Sequence, residues 1–273
     1  MMTLSDADFH RLYTYIQSHY GIDLSQKKQL ISSRLSHSLQ AQGYTSFTQY
    51  VDDILSGKDQ SMVTFLINKL TTNYTYFMRE EAHFQFLINT ALPAFTKTHA
   101  HDRVLSIWSA GCSSGEEAYT TTMYLMEYFG SQYSQWDTRI LATDISQQVL
   151  DTARNPVYQE SSLEQLPKTW KNKYFIKNKD GSYNLSPEVR KNVIFRTFNL
   201  MDPIRFRRPF DLIFCRNVMI YFDQPTKDAL VRRFHGATVP GGYLFIGHSE
   251  NLNKENNPYQ YITPAIFQKA MRP

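Results

Sequence analysis

The stretch Phe210-Asp211-Leu212-Ile213-Phe214-Cys215-Arg216-Asn217-Val218-Met219-Ile220-Tyr221-Phe222 decides the reading of this chain. An apolar, β-prone run from Leu212 to Phe214 stops at Arg216 and Asn217, and the aromatic pair Tyr221 and Phe222 soon follows. In an open parallel sheet, ligands sit beyond the carboxyl ends of the strands. A buried strand that ends in Arg, Asn and then Tyr therefore carries hydrogen-bonding groups to a ligand edge. An ordinary core strand with a capped helix behind it would explain this run alone. Three further segments tip the balance.

The first is Trp108-Ser109-Ala110-Gly111-Cys112-Ser113-Ser114-Gly115-Glu116-Glu117-Ala118-Tyr119, between the apolar run Val104 to Ile107 and a helical pattern through Tyr124, Leu125 and Tyr128. This is strand, small-residue turn, helix start. Gly111 and Gly115 would let backbone approach a ligand, and the unpaired N–H groups of the new helix would face it. The dinucleotide glycine spacing and the phosphate-binding lysine are both missing. With Glu116 and Glu117 at this turn, a pyrophosphate would be repelled, so a neutral or cationic ligand is expected.

The second segment, Ile140-Leu141-Ala142-Thr143-Asp144-Ile145-Ser146, ends in an acid one βαβ unit later, where a ribose hydroxyl pair finds its partner. Asp144 could instead only cap the helix that Ser146 begins. The third, Asn192 to Asp202, closes on Asn199, a candidate for an adenine base or an ordinary turn residue. Pro240-Gly241-Gly242 then turns into a late strand ending near His248, and a final strand is expected at Ala265 to Met271. Such alternation argues for a doubly wound α/β sheet. Its strand ends suit an adenosine carrying an amino acid, which describes S-adenosylmethionine better than NAD.

The first seventy or so residues read as all-helical. Ser5 with Asp8 forms a capping box ahead of Phe9, Leu12, Ile16 and Tyr20. A helix from about Ser25 to Gln42 carries Lys27, Lys28 and Arg34 without an acid, and Gly43 stops it. Ser46 opens a short helix ended at Gly57, and Met62 to Leu70 forms a third apolar stripe. Residues 155–191 interrupt the later alternation, with a hairpin expected around Asp180-Gly181.

The chain's 273 residues, 42% of them hydrophobic, suit a medium domain with a smaller companion. Cys112 and Cys215 both fall inside ligand-edge segments, which reads as a reducing compartment. No basic-then-apolar leader and no run long enough to span a bilayer is seen, so a cytoplasmic protein without membrane insertion is expected. A net charge of +4 permits acidic partners without requiring nucleic acid, and no nucleic-acid partner is expected.

Taken together, Thr71-Thr72-Asn73-Tyr74-Thr75-Tyr76-Phe77-Met78-Arg79-Glu80, the turn with Gly115-Glu116-Glu117, the Phe210 to Phe222 run and Gly242 to Glu250 resemble the CheR family of chemotaxis receptor glutamate O-methyltransferases. The resemblance runs over nearly the whole chain with its motifs in the same order. It departs mildly at Ala118, where the family usually has proline, and at Met78, where it often has phenylalanine. It implies a Rossmann-like class I S-adenosylmethionine-dependent methyltransferase sheet, with a small N-terminal all-helical domain and a small inserted β-subdomain. The divisions are 1–70 helical, 71–90 linker and cofactor-contacting segment, and 91–273 methyltransferase, with 155–191 inserted.

The same resemblance implies catalytic roles for Arg79 and Tyr221. It places cofactor contacts at Asn73, Thr75, Arg79, Glu117, Asp144, Asn199, Leu200, Arg216 and Asn217. Glu116 and Glu117 both remain open for the methionyl ammonium, with Glu117 preferred. No metal is expected, and the product would be S-adenosylhomocysteine. The partner would be the glutamate-rich cytoplasmic methylation region of chemoreceptors, met by a monomer. In some members the β-subdomain grips a pentapeptide at the receptor's C-terminus, but the short loop here favours a contact without that tether. The competing classes are a nucleic-acid or small-molecule methyltransferase and a catalytically silent S-adenosylmethionine sensor. The presence of both Arg79 and Tyr221 weighs against the sensor.

Overall fold

The computed structural model describes residues 2–57 and 59–271. Four helices come first: α1 (Asp6–Tyr20), α2 (Lys28–Ala41), α3 (Phe47–Leu55) and α4 (Gln60–Leu70). The Ser5 hydroxyl accepts the Asp8 N–H at 3.0 Å and donates to the Asp8 carboxylate at 2.7 Å, so α1 starts at the expected capping box. Leu12, Ile16 and Tyr20 of α1 are buried, as are Ile31, Leu35 and Leu39 of α2. α1 packs on α3 and α2 on α4. α2 begins three residues later than its composition suggests, because the Asp23 carboxylate accepts the Ser25 N–H at 2.9 Å and holds a turn. The Lys and the Arg within it both have partners in the chain: Lys28 pairs with Asp6 at 2.5 Å, and Arg34 donates to the Lys69 carbonyl at 3.0 Å.

Beyond the linker, α5 (Glu81–Phe86) runs through one wide π turn (Leu87–Ala91) into α6 (Leu92–Thr98). Pro93 sits in the first turn of α6, where its missing N–H removes one regular helical bond.

The remaining elements, in chain order, are β1 (Ile107–Ala110), α7 (Glu116–Phe129), β2 (Ile140–Asp144), α8 (Gln147–Arg154), β3 (Val157–Tyr158), α9 (Lys168–Tyr174), β4 (Phe175–Lys177), β5 (Tyr183–Leu185), α10 (Pro187–Arg190), β6 (Val193–Thr197), β7 (Phe210–Cys215), α11 (Gln224–Ala237), β8 (Thr238–Ile246), β9 (Gln260–Thr263) and β10 (Ile266–Gln268). The main sheet has the order β6-β2-β1-β7-β8-β10-β9. Its first five strands are parallel, and β10 inserts antiparallel between β8 and β9. This is the doubly wound α/β sheet that the alternation pointed to.

β1 begins at Ile107 and runs into the glycine-rich segment, later than the apolar run suggested, and Val104 makes only an isolated bridge to Asp137. The cause is Asp211, whose carboxylate accepts the Ser106 N–H at 2.8 Å in place of a ladder bond. The interruption at 155–191 folds as a second sheet, β3-β5-β4, with Gly181 at φ 87° in the β4–β5 turn. The short strand β3 was not anticipated. Tyr158 of β3 and Phe175 of β4 pack edge-on to the Phe77 ring at 4.9 and 5.4 Å between centroids, which fastens this small sheet to the linker.

Two cores flank the main sheet. One surrounds Phe84, Tyr124, Phe214 and Phe245. In the other, Trp108, Phe210, Phe234 and Leu244 share a continuous apolar cluster with Leu12, Ile31, Tyr50 and Leu66 of the helical residues. The helical bundle is therefore seated over the sheet edge where the ligand groups emerge.

Candidate active site

A cavity of about 500 Å³ opens at the carboxyl ends of β1, β2, β6 and β7. Its floor comes from Gly111 to Ser113, Asp144 to Ser146, Phe198 to Leu200 and Arg216 to Val218. Its roof comes from Tyr20, Ile22, Ile67, Asn68 and the segment Thr71 to Tyr76. Asn73, Thr75, Arg79, Glu117, Asp144, Asn199, Leu200, Arg216, Asn217 and Tyr221 all line it. Residues distant in sequence thus converge on one space. Glu116 is not on the wall; its carboxylate accepts the Ser114 hydroxyl at 2.8 Å and is buried.

Arg216, delivered by the end of β7, has a side chain only 3% exposed and organises the floor. Its Nε meets Glu80 Oε2 at 3.2 Å, its Nη1 meets Glu117 Oε2 at 3.2 Å, and its Nη2 donates to the Arg79 carbonyl. The other Glu117 oxygen accepts the Ser109 hydroxyl at 2.6 Å. Burial pushes the Glu117 carboxyl up, against the pull of Arg216 and Ser109, and the nearby Glu80 charge pushes the same way as burial. One guanidinium between two carboxylates leaves this nearly dry cluster with an excess negative charge, which favours a cation in the cavity.

Asp144 takes its expected place at the start of α8 and adds a brace on the glycine-rich turn. Its oxygens accept the Ser113 N–H and the Ser146 N–H, each at 2.9 Å, so it braces both the turn after β1 and the start of α8. Its carboxyl is likewise pushed up by burial, with those backbone N–H groups opposing. Gly111 lines the cavity, and tight packing demands glycine at both Gly111 and Gly115 as well. A Cβ on Gly111 would lie 2.4 Å from the Val218 side chain, and one on Gly115 would crowd Ala153, Tyr119 and Phe195.

Asn199 lines the cavity with its amide already engaged: Nδ2 donates to the His19 carbonyl at 2.8 Å and Oδ1 accepts the Met201 N–H at 3.0 Å. One of its two amide N–H donors is therefore spent on the end of α1, which leaves one for a base. The Asn73 amide is also held, by Asn68 and Thr71, each at 3.3 Å.

Arg79 is different. Its Nη1 donates to the Tyr74 carbonyl at 2.8 Å, its guanidinium stands 5.8 Å from the Tyr76 ring centroid, and among the described residues no carboxylate pairs with it. Of the neighbouring acids, Glu80 is paired with Arg216, and Glu81 accepts the Gln85 amide at 3.1 Å rather than the Arg79 guanidinium. Tyr221 reaches back to the linker, where its hydroxyl accepts the Thr72 N–H at 2.9 Å.

Residues 73–266 match the CheR methyltransferase, SAM binding domain, and residues 7–71 match the CheR methyltransferase, all-alpha domain. The chain belongs to the CheR methyltransferase family. It is 41% identical over 272 residues to the chemotaxis protein methyltransferase of Borreliella burgdorferi, covering 98% of this chain and 96% of that protein. It is 34% identical to chemotaxis protein methyltransferase 1 of Pseudomonas aeruginosa, covering 98% of this chain and all (100%) of that protein. Against the chemotaxis protein methyltransferase of Escherichia coli it is 36% identical, with 92% and 87% covered. The fold is accordingly that of an S-adenosylmethionine-dependent methyltransferase carrying an N-terminal all-helical domain, and S-adenosylmethionine is the cofactor.

The cavity of this CheR methyltransferase fits that cofactor in charge. The surplus carboxylate at Glu117 suits a methionyl ammonium beside a sulfonium, and Asp144 keeps acceptor capacity for hydroxyls. Cys112 and Cys215 are free and buried, and burial raises both thiols, so neither is a ready thiolate nucleophile.

Two acids of the site escaped the sequence reading. Glu80 adopts φ 57° and accepts Arg216 Nε, the His248 N–H at 3.2 Å and Asn217 Nδ2 at 3.5 Å. Glu250 is buried and accepts three backbone N–H groups. The signals for Glu250 were its place at the end of the Gly242 to Glu250 segment that carries the resemblance and just after the strand end at Gly247-His248. Glu80, His83 and His248 bring ligand-type atoms within 4.8 Å of one another, but the Glu80 oxygens are already taken by these donors. His83 itself is buried, and desolvation, with Arg216 and His248 nearby, drives its imidazole down to about 2, so it is neutral.

Four of the six described non-glycine residues at positive φ, Met78, Glu80, Ser113 and Asn217, sit at this site. Each such backbone costs about 1–2 kcal/mol, held here by the surrounding hydrogen bonds.

Proposed function

We propose that this protein transfers the methyl group of S-adenosylmethionine to glutamate side-chain carboxylates in the cytoplasmic methylation region of chemoreceptors, forming glutamyl methyl esters. The observation that carries this reading is the pairing, in one cavity, of an acid-rich floor with Arg79, a guanidinium that has no carboxylate partner among the described residues. The floor answers a cationic cofactor. Arg79 answers an anionic acceptor. The relatives' names, all chemotaxis protein methyltransferases, point to the same pathway.

When bound, the cofactor supplies an activated methyl on sulfur. The acceptor needs little activation, because a glutamate with an ordinary pKa of about 4.3 is already ionised at neutral pH. What remains for the protein is placement and exclusion of water. Arg79 can orient the incoming carboxylate with a two-pronged donor set. It must not hold that charge too tightly, since opposite charges disappear as the ester forms. Tyr221 flanks the same space and joins the roof to the floor.

In this reading Asn73, Thr75, Glu117, Asp144, Asn199, Leu200, Arg216 and Asn217 hold the cofactor, and Glu117, which is on the cavity wall, takes the ammonium in preference to Glu116. Residues 1–70 roof the cavity, 71–90 supply Arg79, and 91–273, with 155–191 inserted, supply the floor. The protein acts as a cytoplasmic monomer on receptors, without needing a tethering pentapeptide. Among the described residues no helix is long and apolar enough to cross a membrane.

The deciding experiment is transfer of a radiolabelled methyl group from S-adenosylmethionine to receptor-containing membranes, followed by mild base. Label released as methanol establishes a carboxyl methyl ester. Cofactor binding without base-labile label would instead favour a silent sensor.

A further inference from the structure

We propose that Glu250 is a positioning residue for the methyl transfer, one that sets the loop carrying Asn217 and Tyr221 from outside the cavity. β7 and β8 lie side by side, with Cys215 opposite Ile246 at their carboxyl ends. Beyond those ends both chains turn sharply. Asn217 takes φ 60°, and Gly247 packs so closely that a Cβ on it would lie 2.4 Å from Asn217 Nδ2. Glu250 returns to this junction through a turn in which its N–H donates to the Gly247 carbonyl at 2.9 Å. Its Oε2 accepts the Asn217 N–H at 2.8 Å and the Gly247 N–H at 2.6 Å, while Oε1 accepts the Ile220 N–H at 3.1 Å.

One carboxylate thus ties the end of β7, the end of β8 and the short turn Met219–Tyr221. A carboxylate suits this task because it is acceptor-only, with room on two oxygens for three donors. Glutamine would turn a donating nitrogen toward one of those N–H groups. Glu250 is buried and is not part of the cavity wall, so whatever it does for the reaction passes through the loop. The Ile220 N–H is the contact that matters most, since the next residue is Tyr221, whose hydroxyl meets Thr72. This inference rests on the reading that Tyr221 acts beside the reacting carboxylate.

The test is a double-variant cycle of E250Q and Y221F in the full chain. It measures receptor methylation at saturating cofactor and acceptor, S-adenosylhomocysteine affinity, and amide hydrogen exchange of residues 216–222. In E250Q, kcat should fall about tenfold or more, with acceptor KM changed by less than about threefold and S-adenosylhomocysteine affinity weakened by no more than in Y221F. Exchange should quicken in the loop alone. The double variant should be no slower than the slower single one, because both changes act through one side chain. Losses that multiply, or weakened cofactor binding at unchanged kcat, would overturn the proposal. Should E250Q melt below the assay temperature, E250D, which keeps the charge on a shorter stem, enters the same cycle. Wild-type protein that methylates no receptor carboxylate would overturn the functional reading instead. The exchange measurement would then still decide whether Glu250 holds the loop.

Discussion

The Tyr221 hydroxyl accepts the Thr72 N–H at 2.9 Å and lies 3.4 Å from the Thr72 carbonyl, joining the loop after β7 to the first residues beyond the helical bundle. The same loop is gripped again from the bundle side, where the Asp23 N–H donates to the Tyr221 carbonyl at 2.8 Å. Roof and floor of the cavity are therefore closed on each other partly through one tyrosine. Y221F removes the hydroxyl and keeps the ring. With a net hydrogen bond of about 1 kcal/mol lost, S-adenosylhomocysteine affinity should weaken about fivefold, and turnover should fall further. Titration calorimetry reads the first and initial rates the second. Unchanged affinity would mean that this latch contributes nothing to closure.

Arg79 should separate binding from chemistry. R79A removes the guanidinium that no acid among the described residues neutralises, so methyl transfer should drop about 100-fold or more. S-adenosylhomocysteine affinity should stay within about threefold, because the floor around Arg216 keeps its contacts to Glu80 and Glu117. R79K should recover little, since an ammonium lacks the two-pronged donor geometry. Turnover at wild-type rate in R79A would remove this residue from the reaction.

Much of this arrangement was legible because buried parallel strands are short apolar runs with polar ends. β2, β6, β7 and β8 were each visible that way, and so were the groups at their tips, Asp144, Asn199, Arg216 and Asn217. Local chemistry also exposed the caps at Ser5 and Ser46 and the Asp180-Gly181 turn. Long-range partnerships were not visible. Glu80 and Glu250 look like surface acids in sequence, and only the fold sets Glu80 against Arg216 and buries Glu250 against three backbone N–H groups. The roof was hidden for the same reason, since the bond from Asn199 to His19 joins residues 180 apart. β3, two residues long, carries too little periodicity to be read at all.

Gly111 offers a test of the turn after β1. At φ 92° a side chain is strained, and its Cβ would sit 2.4 Å from Val218 Cγ2. G111A should destabilise the protein by about 2–4 kcal/mol, from the backbone term and the overlap together. Adding V218A relieves only the overlap, so about half of that loss should return in thermal or urea unfolding. Full recovery would show that the backbone conformation relaxes without cost. No recovery would show that Val218 is not the obstacle.

Glu117 carries a pH prediction whose sign follows from its surroundings. Burial raises its carboxyl above the ordinary glutamate value, so the native chain holds that proton to a higher pH than the unfolded chain does. A group raised in this way favours the native state at low pH, and the contribution is lost as pH rises from the unfolded value through the folded one. Wherever it is ionised, Glu117 is therefore a cost to the empty protein, one that a cation bound beside it would offset. E117Q keeps the shape and an acceptor for Ser109 or Arg216 while removing the surplus charge. Its melting temperature without ligand, near pH 7, should be equal to or above that of the wild type. Its affinity for S-adenosylhomocysteine should be weaker by about tenfold or more, as a charge-assisted bond to the ammonium is lost. Wild-type affinity should also decline as pH is lowered toward the raised carboxyl value, and that decline should flatten in E117Q. Calorimetric titrations from neutrality down toward the ordinary glutamate value check both statements. An E117Q protein that binds as tightly as the wild type, with the same pH dependence, would move ammonium recognition to another acid of the floor.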